Sequence, residues 1–217
     1  MPKYLCVGAY REDKLYRGTQ LSHHLIVEES KKFIRANKDS PFFCYLPWTP
    51  PHGPYPDGID DPAIDDFADR PWSRDDKIYA GMVNALDRGV SNLVATLKAN
   101  GQFDNTLIVF LSDNGGRTDA GAKNTPLKGV KGDTWEGGFR VPCVVRWPGL
   151  IKPGTKIGEI MSHEDWLPTL LNAAGVPEEH IESSRICTRC RTDEFFSYRA
   201  EKITGRFAAV IGMKDNK

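Results

Sequence analysis

The 217-residue chain has no excess of either charge: 29 Lys+Arg meet 29 Asp+Glu, for a formal net charge of zero. A broad basic surface for nucleic acid is therefore not expected, nor is a polybasic membrane anchor. No apolar run approaches the ~20 residues of a membrane-spanning helix. The start, Met1-Pro2-Lys3-Tyr4-Leu5-Cys6-Val7-Gly8, meets the charged stretch Arg11-Glu12-Asp13-Lys14 at once, so no export signal is expected in the chain as written. Cysteine is sparse and odd in number, five without dense spacing, which argues against a disulfide scaffold. Cys187 and Cys190 form one C-x-x-C, with no second pair to complete a four-ligand zinc site. They read as incidental thiols, with a disulfide or a metal as the weaker alternatives. Cys44 and Cys143 lie in apolar runs and are expected in the core. Low-complexity tracts are absent, and 40% hydrophobic with 27% charged residues is the composition of a folded globular protein.

The pattern of what is present is α/β. Leu21 to Asn37 reads as a helix with Ile26, Ser30, Phe33, Ile34 and Asn37 on one face. The run Pro41-Phe42-Phe43-Cys44-Tyr45-Leu46-Pro47 predicts a short strand buried on both faces. Trp48 to Trp72, rich in Pro, Gly and Asp, reads as a long functional loop. Ser73-x-x-Asp76 predicts a helix start, Gly101 its stop, and Tyr79, Met82, Val83, Leu86, Val90, Leu93, Val94 and Leu97 its apolar face. Thr106 to Ser112 is a second buried strand, followed by a long loop from Gly115 to Phe139. Arg140 to Trp147 is a third strand, and a short one is expected near Ile157 to Met161. Asp165 is expected to cap a helix lined by Leu167, Leu170, Leu171 and Ala174, which Gly175 and Pro177 end. Helices alternating with buried strands predict a largely parallel sheet flanked by helices, covering residues 1–177. From residue 178 the character changes. Phe195 to Tyr198 and Phe207 to Ile211 read as strands of a small antiparallel C-terminal subdomain, 178–217.

In such sheets ligands sit outside the carboxyl ends of the strands, and both long loops leave from such ends. Asp113-Asn114 offers hard oxygen ligands suited to calcium or magnesium; taken alone, the dipeptide before a double glycine reads first as a turn. His52, in Pro50-Pro51-His52-Gly53-Pro54, is held by flanking prolines, so it is a candidate to protonate a leaving group or donate to an anion. A surface-loop histidine is the plainer reading. Lys128 and Lys131 lie in a glycine-rich stretch where lysines would supply charge to an oxyanion, or would simply be solvated. His163 is expected to pack near a helix start. His23, His24 and His180 lie among polar residues and receive no role.

In order, the chain carries Phe42-Phe43-Cys44-Tyr45-Leu46, Pro51-His52-Gly53-Pro54 and Asp104 to Gly116 with Ser112-Asp113-Asn114-Gly115-Gly116. Leu127-Lys128-Gly129-Val130-Lys131-Gly132, Trp135-Glu136-Gly137-Gly138-Phe139-Arg140-Val141-Pro142, Ser162-His163-Glu164-Asp165 and Leu167-Pro168-Thr169-Leu170-Leu171 follow. This set resembles the second half of the catalytic domain of the type I sulfatases, the arylsulfatase family, from about Leu21 to Pro177. The resemblance implies a partial alkaline-phosphatase-like fold and metal-assisted hydrolysis of sulfate esters. It implies Asp113 and Asn114 as metal ligands, the metal being calcium with magnesium as the alternative. It implies His52 beside the sulfate and leaving-group oxygen, Lys131 on the sulfate, and Lys128 at a basic position of less defined role. A sulfated small molecule or glycan would be the substrate, and family members are often exported to periplasm, extracellular space or lysosome.

One family element is missing. The nucleophile expected is a formylglycine, made from Cys or Ser in a C-x-P-S-R-like or S-x-A-x-R-like motif, and neither motif occurs in the 217 residues. The aspartates that pair with Asp113 and Asn114 in the family belong to that same region. The chain is accordingly expected to be a fragment, inactive alone, with the missing N-terminal half as a potential separate partner chain. Two alternatives stay open at this point: a phosphate-ester hydrolase of the same superfamily, and a non-catalytic binding protein. Asn114, where many two-zinc relatives place histidine, favours one hard cation and sulfate.

Overall fold

The computed structural model describes residues 3–6, 10–11, 14–15, 22–53, 55 and 61–177. Its elements run β1 (Lys3–Cys6), β2 (Tyr10–Arg11), β3 (Lys14–Leu15), α1 (Ser22–Ala36), β4 (Phe42–Tyr45), α2 (Pro62–Asp65), α3 (Arg74–Ala99), β5 (Ile108–Leu111), α4 (Glu136–Phe139), β6 (Cys143–Arg146) and α5 (Trp166–Ala173). The expected strands at 195–198 and 207–211, His180 and the Cys187–Cys190 pair lie outside the described residues. Two compact units divide the chain, Met1–Thr155 and Lys156–Lys217. The break follows a turn in which Thr155 N–H donates to the Lys152 carbonyl at 3.2 Å; the expected subdomain of residues 178–217 lies outside the described residues.

The longest helix forms where its signals stand. The Ser73 hydroxyl oxygen accepts from Asp76 N–H at 3.1 Å and donates to the Asp76 carboxylate at 2.8 Å. This satisfies one of the amides a helix start leaves bare. At the other end Gly101 takes a φ of 73°, the left-handed conformation that ends a helix at little cost in glycine. The buried face of α3 is rotated from the expected one. Ile78, Gly81, Met82, Ala85, Gly89, Leu93, Thr96 and Leu97 are buried, while Val83 is exposed. The cause is close packing on small residues. A Cβ on Gly81 would lie 2.8 Å from the Ile64 Cα, and one on Gly89 would lie 2.6 Å from the His23 Nε2. Helices α2 and α1 thus pack directly on the backbone of α3.

Two apolar clusters follow from this. Ala63, Ile78, Met82 and Ala85 form one, with Tyr55 and Ile64 against it. Ile34, Leu93 and Leu97 form the other, and Phe42, Leu46, Trp48, Phe103 and Ile108 pack on it. The second cluster joins both helices to strands β4 and β5, and so sets the strand ends from which the two long loops leave.

His23 belongs to the core, not to the polar surroundings its sequence neighbours suggest. It is fully buried, donates from Nε2 to the Ala85 carbonyl at 2.8 Å, and meets Trp48 edge-on at 4.8 Å. That bond fixes the proton on Nε2. Nδ1 is left buried and pairs with no atom of the described residues. His24 is also engaged, at 2.8 Å from the buried Asp61 carboxylate, whose other oxygen accepts from Ala63 N–H and starts α2. Burial, aided by His24 and opposed by the Ala85 bond and Asp61, holds the His23 pKa below its ordinary 6.5. The unfolded chain therefore takes up this proton first as pH falls. Stability from neutral His23 is full above about pH 6.5 and is lost as pH drops from there through the lowered folded value. Urea midpoints measured from pH 7.5 to 5 should fall for the wild type, and fall less steeply for His23→Gln, which keeps a donor but cannot titrate. Parallel curves would remove His23 as the cause.

The strands pair as β1 parallel to β4, β2 antiparallel to β3, and β5 antiparallel to β6, with Val109 opposite Val145. The two apolar runs expected to be buried on both faces are half-buried on one face and exposed at Tyr45 and Phe110 on the other. Tyr45 is 57% exposed and Phe110 38%, and on β6 Val144 is 63% exposed, because among the described residues each ladder has two strands and helices cover one side. Cys44 is half-buried, and burial pushes its thiol up to about 11. Cys143 is exposed, contrary to expectation, because β6 turns that end of its outer edge to solvent.

In the second unit no strand forms at 157–161, where Ile160 is 99% exposed. Asp165 does not cap α5 through its side chain. A 3-10 turn, His163–Asp165, precedes the helix, and the cap moves back to Ser162. Ser162 N–H donates to the Asp165 carboxylate at 2.7 Å and its oxygen accepts from Glu164 N–H at 3.3 Å, a reciprocal capping box. His163 lies in that turn and is exposed.

Candidate functional site

The site is built in the first unit from three segments. The first is the loop after β4. His52 N–H closes a turn on the Thr49 carbonyl at 3.0 Å, the Pro50–Pro51 bond is cis, and the Tyr55 hydroxyl donates to the Pro51 carbonyl at 3.1 Å. The His52 ring is exposed and its Nδ1 meets the Gly53 carbonyl, which leaves Nε2 as the atom turned outward. Trp48 anchors this loop on the Ile34–Leu93–Leu97 cluster.

The second segment follows β5. Asp113 is exposed at the strand's carboxyl end and accepts from Asn114 N–H at 2.9 Å, while the Asn114 carbonyl accepts from the Ser112 hydroxyl at 3.2 Å. Beyond the double glycine, Arg117 forks onto Asp119, with Nε 2.9 Å from Oδ1 and Nη2 on Oδ2. This contact holds the Asp119 carboxyl below the usual carboxylate range.

The third segment is the glycine-rich loop, seated on the second by backbone bonds. Gly115 N–H donates to Gly138 O at 2.9 Å and Lys131 N–H to Gly116 O at 3.2 Å, while Gly137 N–H closes the loop on itself at Lys128 O, 2.7 Å away. Asn124 ties the two together. Its Oδ1 accepts from Gly116 N–H at 3.0 Å, and its Nδ2 donates to Gly116 O at 2.8 Å and to Gly129 O at 3.1 Å. Asp133 closes the turn that presents Lys131 by accepting from Val130 N–H at 3.0 Å.

These segments enclose an open cleft of about 580 Å³ lined by His52, residues 117–119 and residues 130–132. The structure thus places His52 and Lys131 in one cleft. Asp113 and Asn114 stand at the strand end beside it and do not line it. Lys128 is turned away from the cleft, with its ammonium 3.7 Å from the centre of the Trp135 ring. Arg117, Asp119 and Asn124 were not singled out by sequence. Asn124 could have been found as an amide ahead of a proline-bearing turn, but Arg117 and Asp119 reach the cleft only through the turn at 118–120. Among the described residues no group of three His, Cys, Asp or Glu side chains gathers as a metal site. Asp113 and Asn114 suit a hard cation in kind, and would fill only two of the ~6–8 oxygen positions that calcium takes. No helix among the described residues is long and apolar enough to cross a membrane.

Comparison with known proteins bears on this arrangement. The family model for sulfatases matches residues 4–176. A second, for the multi-copper polyphenol oxidoreductase laccases, matches residues 163–214, a quarter of the chain and mostly outside the described residues. The steryl-sulfatase of Rattus norvegicus is 32% identical over 170 residues, 74% of this chain and 28% of that protein. Arylsulfatase J of Mus musculus is 42% identical over 105 residues, 48% of this chain and 18% of that protein. Among solved structures, Ps i-CgsB in complex with k-i-k-neocarrahexaose matches with a TM-score of 0.68 and 42% identity, over 79% of this chain and 37% of that one. The PsFucS1 sulfatase from Pseudoalteromonas sp. matches with a TM-score of 0.61 and 33% identity, over 73% and 31%. The chain therefore spans well under half the length of these relatives, and its α/β architecture is part of the sulfatase, alkaline-phosphatase-like fold. The phosphate-ester alternative is not favoured by any of these matches. With its match running from residue 4 to 176, the chain belongs to the sulfatase family.

Proposed function

We propose that the chain supplies the sulfate-recognising side of a sulfatase active site, and that the complete protein hydrolyses sulfate esters of a sulfated small molecule or glycan. The observation that carries this reading is the shared cleft of His52 and Lys131, seated on the strand end that bears Asp113 and Asn114. Lys131 gives the sulfate oxygens a positive charge, and the turn at 130–133 holds it in place before the anion arrives. With Nδ1–H on the Gly53 carbonyl, His52 in its imidazolium form would donate the Nε2 proton to the departing oxygen. Asp113 and Asn114 would hold calcium, or magnesium in its place, and such a cation supplies charge stabilisation to the sulfate oxygens. The nucleophile lies outside these 217 residues, since neither formylglycine motif occurs in them. It would come from the missing N-terminal half, as more of the same protein or as a separate chain. The complex of Ps i-CgsB with k-i-k-neocarrahexaose supports a saccharide substrate.

The test is binding without turnover. The chain should bind inorganic sulfate weakly, and Lys131→Ala should weaken that binding at least tenfold, on the order of one charge-assisted hydrogen bond. It should release no nitrophenol from 4-nitrophenyl sulfate, for want of a covalent nucleophile. Unchanged sulfate affinity in Lys131→Ala would overturn the anion site. Sustained hydrolysis lost in His52→Ala would overturn the placement of the nucleophile outside the chain.

A further inference from the structure

We propose that the Arg117–Asp119 ion pair reads the hydroxyl groups of the ester's sugar, and so selects sugar sulfates over aryl sulfates. This rests on the reading of Lys131 and His52 as the sulfate-facing groups. Three charged side chains besides His52 line the cleft: Arg117, Asp119 and Lys131. Two of them satisfy each other through parallel bonds, Nε to Oδ1 and Nη2 to Oδ2. Lys131 has no carboxylate partner among the described residues. A sulfate entering the cleft therefore finds its cation at Lys131. At the 117–119 wall it meets a guanidinium already neutralised and a carboxylate that repels it. The anion is driven to one end and the rest of the ester is laid over the pair.

The pair does little for the fold. Both side chains are well over half exposed, and exposed pairs of this kind add little to stability. What the fork does is hold the guanidinium and the carboxylate in one plane facing the cleft. In that geometry Nη1 is outside the fork, and each carboxylate oxygen keeps a second lone pair. Strong acceptors and donors then lie side by side, the complement of adjacent sugar hydroxyls, each of which both donates and accepts. The Asp119 carboxyl, kept below the usual range by Arg117, is a charged acceptor at neutral pH. Thr118 adds a hydroxyl on the same wall. An aryl ring has no hydroxyl to donate to Asp119, so it can use only the Arg117 side of this wall.

The experiment titrates the full chain with three probes: inorganic sulfate, 4-nitrophenyl sulfate and galactose 6-sulfate. Asp119→Asn should weaken galactose 6-sulfate about tenfold, the order expected for one hydrogen bond to a charged acceptor. It should leave inorganic sulfate and the aryl sulfate unchanged or tighter, because Arg117 is released from its partner. Arg117→Gln releases the Asp119 carboxylate, so all three anions should weaken, the sugar sulfate by more than the aryl sulfate. Asp119→Glu, which keeps the charged acceptor, should recover most of the sugar affinity. Melting curves confirm that these exposed substitutions leave the fold intact. Equal losses for the aryl and sugar sulfates, or no loss for the sugar sulfate, would overturn the proposal. If instead Lys131→Ala leaves inorganic sulfate unaffected while Asp119→Asn still weakens the sugar, the anion reading falls and the sugar wall stands. Failure of the wild type to bind any of the three overturns both.

Discussion

A Gly115→Ala chain is expected to lose the anion cleft while keeping its helices. The added methyl would fall 1.8 Å from the Gly137 carbonyl oxygen, 2.7 Å from its carbonyl carbon and 3.0 Å from the Gly138 Cα. All three are backbone atoms, so no side chain can swing aside. Overpacking ordinarily costs ~1–3 kcal/mol, and here the yielding part is the loop that carries Lys131. Moving it breaks the bond from Gly115 N–H to Gly138 O and strains those from Gly137 to Lys128 and from Lys131 to Gly116. Helices α1 and α3, joined through their own clusters, do not depend on these bonds. A denaturation curve should show a loss of about 2 kcal/mol or more, far-UV helicity should persist, and sulfate titration should show binding down at least tenfold, the order of one charge-assisted hydrogen bond. Gly132→Ala is the comparison. Nothing lies within 4 Å of its added Cβ, but φ there is 95°, so it should pay only the left-handed strain of ~1–2 kcal/mol. Retention of full sulfate affinity by Gly115→Ala would show that the loop is not held on the strand end by this contact.

That contact was half legible in the sequence. The residues Gly115, Gly137 and Gly138 were visible as glycines, and a ligand-facing loop was expected of them. What they approach is each other's backbone, which only the folded pairing of two segments some 20 residues apart reveals. The helix ends were legible because their causes are local: Ser73 and Asp76 bond across one turn, and Gly101 supplies one backbone angle. The face of α3 was not, since hydropathy gives little weight to Gly81, Ala85 and Gly89. Their role is to be small, and that depends on what is brought against them. His23 was missed for the same reason in reverse. Ser22 and His24 beside it are polar, and only the approach of Ala85, Gly89 and Trp48 makes its position interior. The apolar strands were found, but their second faces are uncovered among the described residues. In the site, His52 and Lys131 were found through the chemistry they can do. Arg117 and Asp119 needed the turn at 118–120 to bring them round to the cleft.

Gly89→Ala sets two effects of opposite sign against each other at that buried histidine. In a solvent-facing helix the change would stabilise by roughly 1 kcal/mol, because glycine is the costlier residue there. In α3 the new methyl would stand 2.6 Å from the His23 Nε2, 2.7 Å from its Cε1 and 3.0 Å from a Val27 methyl. The ring cannot retreat freely. It is fully buried, lies edge-on to Trp48, and is held by its bond to the Ala85 carbonyl. Displacing it leaves the ring N–H buried without a partner, at ~1–3 kcal/mol, and adds the overpacking of two helices; the Ala85 carbonyl keeps its bond within α3. The clash should win, giving a net loss of about 1–3 kcal/mol in urea unfolding. The same substitution made in a His23→Ala background has room for the methyl, so there it should become neutral or stabilising. This reversal of sign is a coupling that independent sites do not show. If Gly89→Ala stabilises the wild-type chain, α1 does not pack on α3 through His23, and the anchoring of Trp48 and the His52 loop on that core loses its basis.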